Sequence, residues 1–135
     1  MKRLSLVFFH GYVWALILAG GLGVFSATVD HRLLFDLEVR QLPSSTAASL
    51  LSQYRFLRAI ECGFGIFAFL FRRGIFEKRS LNRLFLGTMF AGVAARVVSL
   101  VLDGSPFPIF YGFLVFELVG GTIILVHSRT TLEKP

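Results

Sequence analysis

Charged residues lie inside the apolar stretches of this sequence, and their types and spacing are the ones that could do chemistry. Arg55, Arg58 and Glu61 fall in the second apolar stretch, Arg96 in the third and Glu117 in the middle of the fourth. A charge at the centre of a bilayer costs about 2.5–3.5 kcal/mol on insertion scales, so such residues usually face one another or a cavity. A guanidinium can hold a carboxylate through two parallel hydrogen bonds, which suits a site without water.

These charges are predicted to lie at similar depths, so that three helices could bring them into one cluster. At a rise of about 1.5 Å per residue, Arg58, Glu61, Arg96 and Glu117 lie roughly 9–16 Å from the outer ends of their helices. One interpretation is an ion-pair network that fixes helix register. The other is a ligand site, because the three arginines exceed the two glutamates by one positive charge. That excess could receive an anionic lipid or a carboxylate.

The elements that must position these charges are long and apolar. The chain has 135 residues, enough for a single domain (1–135), with 55% hydrophobic residues and a mean hydropathy of +0.72. A membrane-spanning helix needs about 20 mostly apolar residues, and four segments meet this requirement. The sequence therefore predicts an all-α, four-helix transmembrane bundle with a polar extracytoplasmic loop at 28–49. The predicted helices are 6–27, 50–71, 84–102 and 107–127.

The basic residues predict the orientation of this bundle. If the helices alternate, nine Lys and Arg residues fall on one side and only Arg32 and Arg40 on the other. Cytoplasmic segments carry the Lys/Arg excess, so both termini are predicted to be cytoplasmic in a bacterial inner membrane. Because these charges sit at the ends of apolar segments and form no stripe on a soluble fold, nucleic acid is excluded as a partner. The nine residues are Lys2, Arg3, Arg72, Arg73, Lys78, Arg79, Arg83, Arg129 and Lys134.

Small and aromatic residues suggest where the helices meet other surfaces. Small side chains let membrane helices approach closely, although glycine is also simply common in such helices. Phenylalanine recurs every third residue in the fourth helix, as a broad face for lipid or a partner. The predicted packing residues are Gly20, Gly23, Ala59, Gly63, Gly87, Ala91, Gly120 and Gly121, and the aromatic face is Phe107, Phe110, Phe113 and Phe116.

Familiar catalytic and metal patterns do not occur in this sequence. No zinc spacing, phosphate-binding glycine loop or nucleophile triad is visible, so no catalytic or metal-binding residue is predicted. His10 is a weak candidate for a haem or pigment ligand, and an interfacial histidine is the favoured interpretation. His31 lies near Asp30, Asp36 and Glu38, where a solvated loop is favoured over a metal site. No cofactor is predicted, although a bound lipid or quinone is compatible with the sequence.

Three short sequences from the second helix onward carry a family resemblance. They are Tyr54-Arg55-Phe56-Leu57-Arg58, then Ala95-Arg96-Val97-Val98-Ser99-Leu100 leading to Asp103-Gly104-Ser105-Pro106, and Phe116-Glu117. The chain resembles small bacterial four-helix membrane proteins of an uncharacterised family, the domain of unknown function 4345, and has a DoxX-like layout. The resemblance implies a four-helix bundle with a polar cluster, and it implies no activity.

The sequence favours a non-enzymatic integral membrane subunit, because its segments outside the membrane are short. Such a subunit would pack against a larger membrane assembly or against itself, and would contact membrane lipids. The alternative is a protein that binds or transports a small molecule, such as an anionic lipid, a quinone or a carboxylate, through the Arg/Glu cluster. An enzyme acting on a lipid is a third and less favoured alternative.

Overall fold

The computed structural model describes residues 2–132, and these form five α-helices with no strand among them. Helix α1 spans Lys2–Phe35, α2 spans Ser44–Leu70 and α3 spans Arg72–Glu77. Helices α4 and α5 follow at Arg79–Leu102 and Ile109–Leu132, and a 3₁₀ turn at Val39–Gln41 precedes α2. The described part of the chain is thus all-helical, as the long apolar segments predict. Lys134, one of the charges used to predict the orientation, lies outside the described residues.

Three of the helices are long and apolar enough to cross a membrane, namely α1, α4 and α5. Helix α2 has 27 residues and is therefore long enough as well. Its central part, however, carries Arg55, Arg58 and Glu61. These charges lower its mean hydropathy and set it apart from the other three long helices.

The first helix is longer than its predicted range of 6–27, so that the predicted loop at 28–49 shrinks to residues 36–43. Helix α1 continues through the polar residues 28–32 and ends at Phe35. It stops because Asp36 has a φ of 50°, in the left-handed region that Asp tolerates better than most residues. The N–H of Leu37 then donates to the carbonyl of His31 at 3.1 Å, and α2 begins directly after Pro43.

The chain divides into two compact units. One unit contains the start of α1, through Tyr12, together with the chain from Ala68 onward. In it, α4 and α5 are antiparallel, because Arg79 contacts Leu132 while Arg96 contacts Glu117. Six-residue helix α3 closes the end of the unit at which α4 begins. Phe9, Phe85, Ile75, Met89 and Ile124 are completely buried in its core.

The other unit, Val13–Phe67, is an antiparallel pair formed by the rest of α1 and most of α2. Its helices touch through glycine. A Cβ built on Gly20 would lie 2.6 Å from the backbone nitrogen of Cys62, and one on Gly65 would lie 2.8 Å from Ile17 Cγ1. Real Cβ atoms do not approach so closely, so the two backbones are in direct contact at Gly20, and the Ile17 side chain packs directly on the backbone at Gly65.

Candidate functional site

Arg58 lies at the centre of a polar chain between α1 and α2 within the Val13–Phe67 unit. Its Nη1 donates to Glu61 Oε2 at 2.8 Å, and its Nη2 donates to the Tyr54 hydroxyl at 2.6 Å. Tyr54 in turn donates to Asp30 Oδ2 at 2.8 Å, and Ser26 donates to Asp30 Oδ1 at 3.0 Å. Five side chains on two helices are therefore connected by charge-assisted hydrogen bonds, which are the stronger class.

Gly23 makes room for this chain. A Cβ on Gly23 would lie 2.7 Å from Arg58 Cδ and 2.9 Å from Arg58 Nε. The arginine side chain therefore lies across the bare backbone of α1, with its guanidinium 4.8 Å from the centre of the Tyr54 ring. Arg58 Nε is buried there and has no hydrogen-bond partner among residues 2–132.

Asp30 changes the charge balance that the sequence suggests. In this unit Arg55 and Arg58 are matched by Asp30 and Glu61, rather than by Glu61 alone. Arg55 is exposed and donates through Nε to the carbonyl of Val24 at 3.2 Å. Counted with Asp30, which the longer first helix includes, these four charges sum to zero and carry no positive excess of their own.

His31 extends the polar chain with an aromatic contact. Its ring meets that of Tyr54 edge-on, with centroids 4.5 Å apart, and its Nδ1 donates to the carbonyl of Ala27 at 2.7 Å. The residue is buried, so the prediction of a solvated loop at this position is wrong. Residues 2–132 contain no group of three or more His, Cys, Asp and Glu side chains that could hold a metal ion.

Arg96 and Glu117 form a two-bond ion pair between α4 and α5 in the other unit. Arg96 Nε donates to Glu117 Oε2 at 2.9 Å, and Nη2 donates to Oε1 at 3.1 Å. The guanidinium also lies 5.6 Å from the centre of the Phe113 ring. Both oxygens of Glu117 are engaged, and its side chain is 13% exposed against 33% for Arg96. Both charges are thereby compensated by a partner of fixed geometry.

The structure thus brings four of the five predicted charges into two pairs, Arg58 with Glu61 and Arg96 with Glu117. A single cluster of all four stays a prediction. Sequence reasoning missed Ser26, Asp30 and Tyr54. The spacing of Ser26 and Asp30, four residues apart on one helical face, was the available signal, but it has meaning only if the first helix continues past residue 27.

The predicted packing glycines fall into two groups. Gly20 and Gly23 are buried against α2, and Gly120 and Gly121 are buried with Cβ positions 3.0 Å from the Phe8 and Phe90 rings. By contrast, a Cβ on Gly63 or on Gly87 would meet no described atom within 4 Å. Ala59 and Ala91, four residues from these two glycines, are exposed as well.

The predicted aromatic face, of which Phe107 precedes α5, is divided between exposed and packed rings, and His10 bonds within its own helix. Phe107 and Phe113 are exposed, whereas the Phe116 ring lies 5.6 Å from that of Phe8 inside the unit. His10 Nδ1 donates to the carbonyl of Leu6 at 2.8 Å, and its ring meets Phe9 edge-on. His10 therefore bonds within its own helix, and ligand binding by it stays a prediction.

The fold and the paired charges define an all-helical protein with three helices long and apolar enough to span a membrane. The chain belongs to the family described as a domain of unknown function, DUF4345, whose model matches residues 5–127. No curated protein and no solved structure matches it.

Proposed function

We propose that this protein is a non-enzymatic integral membrane subunit that packs against other membrane protein chains. Its proposed architecture is a four-helix transmembrane bundle in a bacterial inner membrane, with both termini cytoplasmic. Helix α2 would be the fourth crossing. Its charges support this, because Arg58 and Glu61 are engaged with each other and Arg58 also with Tyr54, which lowers the cost of placing them in lipid.

The paired charges favour a structural role over chemistry. Catalysis by a carboxylate needs an oxygen that is free to take or give a proton. Both oxygens of Glu117 accept hydrogen bonds from Arg96. This arrangement is typical of an ion pair that fixes the register of α4 against α5.

One observation carries the subunit proposal: Gly63 and Gly87 face open space within the described chain. Each has an exposed alanine four residues away, Ala59 or Ala91, and this spacing places both members of a pair on one face of the helix. In lipid, helices associate through such small residues, because they allow close backbone approach. The two surfaces are therefore proposed to receive helices from another chain, with a second copy of this protein as the alternative partner.

Copurification tests this proposal with matched glycine variants. After mild solubilisation, the wild-type chain is expected to retain partner chains in fixed ratio, and Gly63→Leu or Gly87→Leu to lose them. The control is Gly112→Leu, because Gly112 is equally open but has Pro108 and Phe116 four residues away rather than small side chains. Equal retention by all three variants, or a wild-type chain that purifies alone as a monomer, would contradict the subunit proposal.

The alternative function is binding or transport of an anionic lipid, a quinone or a carboxylate by the Arg/Glu residues. The observation in its favour is the buried Arg58 Nε, since an unpaired buried donor marks a place for a water or a ligand oxygen. Glu61, with its side chain 41% exposed, would be the accessible neighbour. A lone chain that purifies with stoichiometric lipid or quinone, and loses it in Arg58→Gln, would favour this alternative.

A further inference from the structure

A cavity of about 430 Å³ opens beside the first turns of α1, within the unit that also contains α3, α4 and α5. Its walls come from three elements: the start of α1, helix α3 and the last turns of α5. Ligand pockets commonly have volumes of about 300–1,000 Å³. The cavity is therefore large enough for the head of an amphiphile, and its lining residues include no member of the two ion pairs described above.

The charged part of the cavity wall is strongly basic. Lys2, Arg72 and Arg73 line it, against the single carboxylate of Glu77. Arg72 donates to the carbonyl of Phe69 and forms no ion pair with an acid among residues 2–132. No ion pair links Lys2 or Arg73 to an acid within residues 2–132. Three cations against one anion give the cavity a net positive charge that attracts an anion.

Apart from His10, His127 and Thr131, the rest of the cavity wall is apolar. Leu6, Phe9 and Phe76 line it, and the rings of Phe9 and Phe76 meet edge-on at 5.2 Å. A second aromatic contact joins Phe76 to His127, with centroids 6.2 Å apart. A site for a free inorganic anion has no need of such a wall. A ligand with an apolar chain attached to its anionic group would use both parts of the surface.

We propose that this cavity binds a phosphate group that carries an apolar substituent, and that its source is an anionic phospholipid of the adjoining leaflet. Basic pockets between membrane helices on the cytoplasmic side are suited to phospholipid head groups. Arg72 and Arg73 would contact the phosphate, because guanidinium groups match its geometry with paired hydrogen bonds. Leu6 and Phe76 would contact the first part of an acyl chain.

Lipid retention by the full-length protein tests this proposal. The protein is reconstituted in phosphatidylcholine discs that contain phosphatidylglycerol as the only anionic lipid, and bound lipid is counted by native mass spectrometry. The wild type is expected to retain one phosphatidylglycerol in preference to phosphatidylcholine. Arg72→Gln with Arg73→Gln is expected to weaken retention about 10- to 30-fold, as for the loss of two cations near an anionic surface.

The matched control is Arg83→Gln with Arg129→Gln, which removes the same charge from the same unit but from residues that do not line this cavity. It should retain lipid within about twofold of the wild type. Leu6→Trp, which narrows the apolar wall and leaves the charge unchanged, should also weaken retention. All substituted positions are exposed or half-buried, and the melting temperature of each variant reports whether it folds.

Three results would overturn the proposal. One is equal retention by the Arg72/Arg73 variant and the wild type. Another is equal loss in the Arg83/Arg129 control, which would mean attraction to the whole basic surface. The third is a rise in melting temperature with inorganic phosphate alone that matches the rise with phosphatidylglycerol, which would identify the free anion as the ligand. None of these results bears on the partner chains proposed above.

Discussion

At the scale of single residues, four of the five predicted charges in the apolar helices are paired, and the contacts differ in how predictable they were. Arg96 and Glu117 lie in segments joined by a short turn, so their approach follows from helix length and spacing. The contact of Tyr54 with Asp30 joins residues 24 positions apart. This contact requires the first helix to continue through a polar stretch with acidic residues and a histidine, which the sequence predicts to be a loop. Local pattern alone does not contain that information.

Breaking the Arg96–Glu117 pair should cost stability, because the partner is left with an uncompensated charge. Loss of one member of a fully buried pair costs about 3–5 kcal/mol. Since the Arg96 side chain is 33% exposed, we expect about 1–3 kcal/mol for Glu117→Gln or Arg96→Gln. Thermal melting in mild detergent measures this loss.

The double variant Arg96→Gln/Glu117→Gln is the control for this measurement. It should melt closer to the wild type than the sum of the single variants implies, with a coupling of about 1 kcal/mol. If both single variants melt like the wild type, the ion pair makes no contribution to the fold.

At the scale of elements, the presence of the long helices was predictable and their ends were not. Apolar runs of about 20 residues predict α1, α2, α4 and α5. Every one of these helices extends beyond its apolar run at one or both ends. The extensions contain polar residues, as in α1, where Asp30 accepts a hydrogen bond from Ser26 and His31 donates to the carbonyl of Ala27. Hydropathy therefore measures the length of the apolar run, while the length of the helix depends on hydrogen bonds that hydropathy does not register.

Contact between α1 and α2 should depend on one glycine far more than on another. A Cβ at Gly20 would collide with the backbone of Cys62 and with the carbonyl oxygen of Arg58, at 2.6 and 2.7 Å. The backbone of α2 cannot rotate away from the added methyl group as a side chain could. Gly20→Ala should therefore destabilise the chain by about 1–3 kcal/mol, as overpacking does. Thermal melting in detergent measures the change.

Gly63→Ala is the matched comparison, since it adds the same methyl group to the same helix pair where no described atom lies within 4 Å. It should leave stability unchanged or raise it by about 0.4–1 kcal/mol through the lower entropy of the unfolded chain. An equal loss in the two variants would mean that the close approach at Gly20 does not hold the helices together.

At the scale of the whole molecule, the proposed topology requires α2 to cross the membrane as the fourth helix. Because it carries three charges, α2 is not among the helices that are long and apolar enough to be selected as membrane-spanning. Four crossings with cytoplasmic termini place the 3₁₀ turn before α2 and the α4–α5 turn on the outside, and the segment between α3 and α4 on the inside.

Labelling of single cysteines decides between these topologies. In a Cys62→Ala background, Gln41→Cys and Ser105→Cys should react with a membrane-impermeant maleimide in intact cells, whereas Ser80→Cys should react only after permeabilisation. All three positions are exposed. Labelling of Gln41→Cys and Ser80→Cys from the same side would rule out a crossing by α2 and leave three.

The length of α1 has a consequence for molecules that bind the protein outside the hydrocarbon layer. Its 34 residues form a rod about 51 Å long, while the hydrocarbon layer is about 30 Å thick. Placing the whole helix within that layer would need a tilt of roughly 54° from the bilayer normal, beyond the 0–40° found for membrane helices. In the proposed orientation, part of α1 therefore lies in the head-group region or in water, where it is already helical. A molecule that binds this part of α1 does not have to order the chain first.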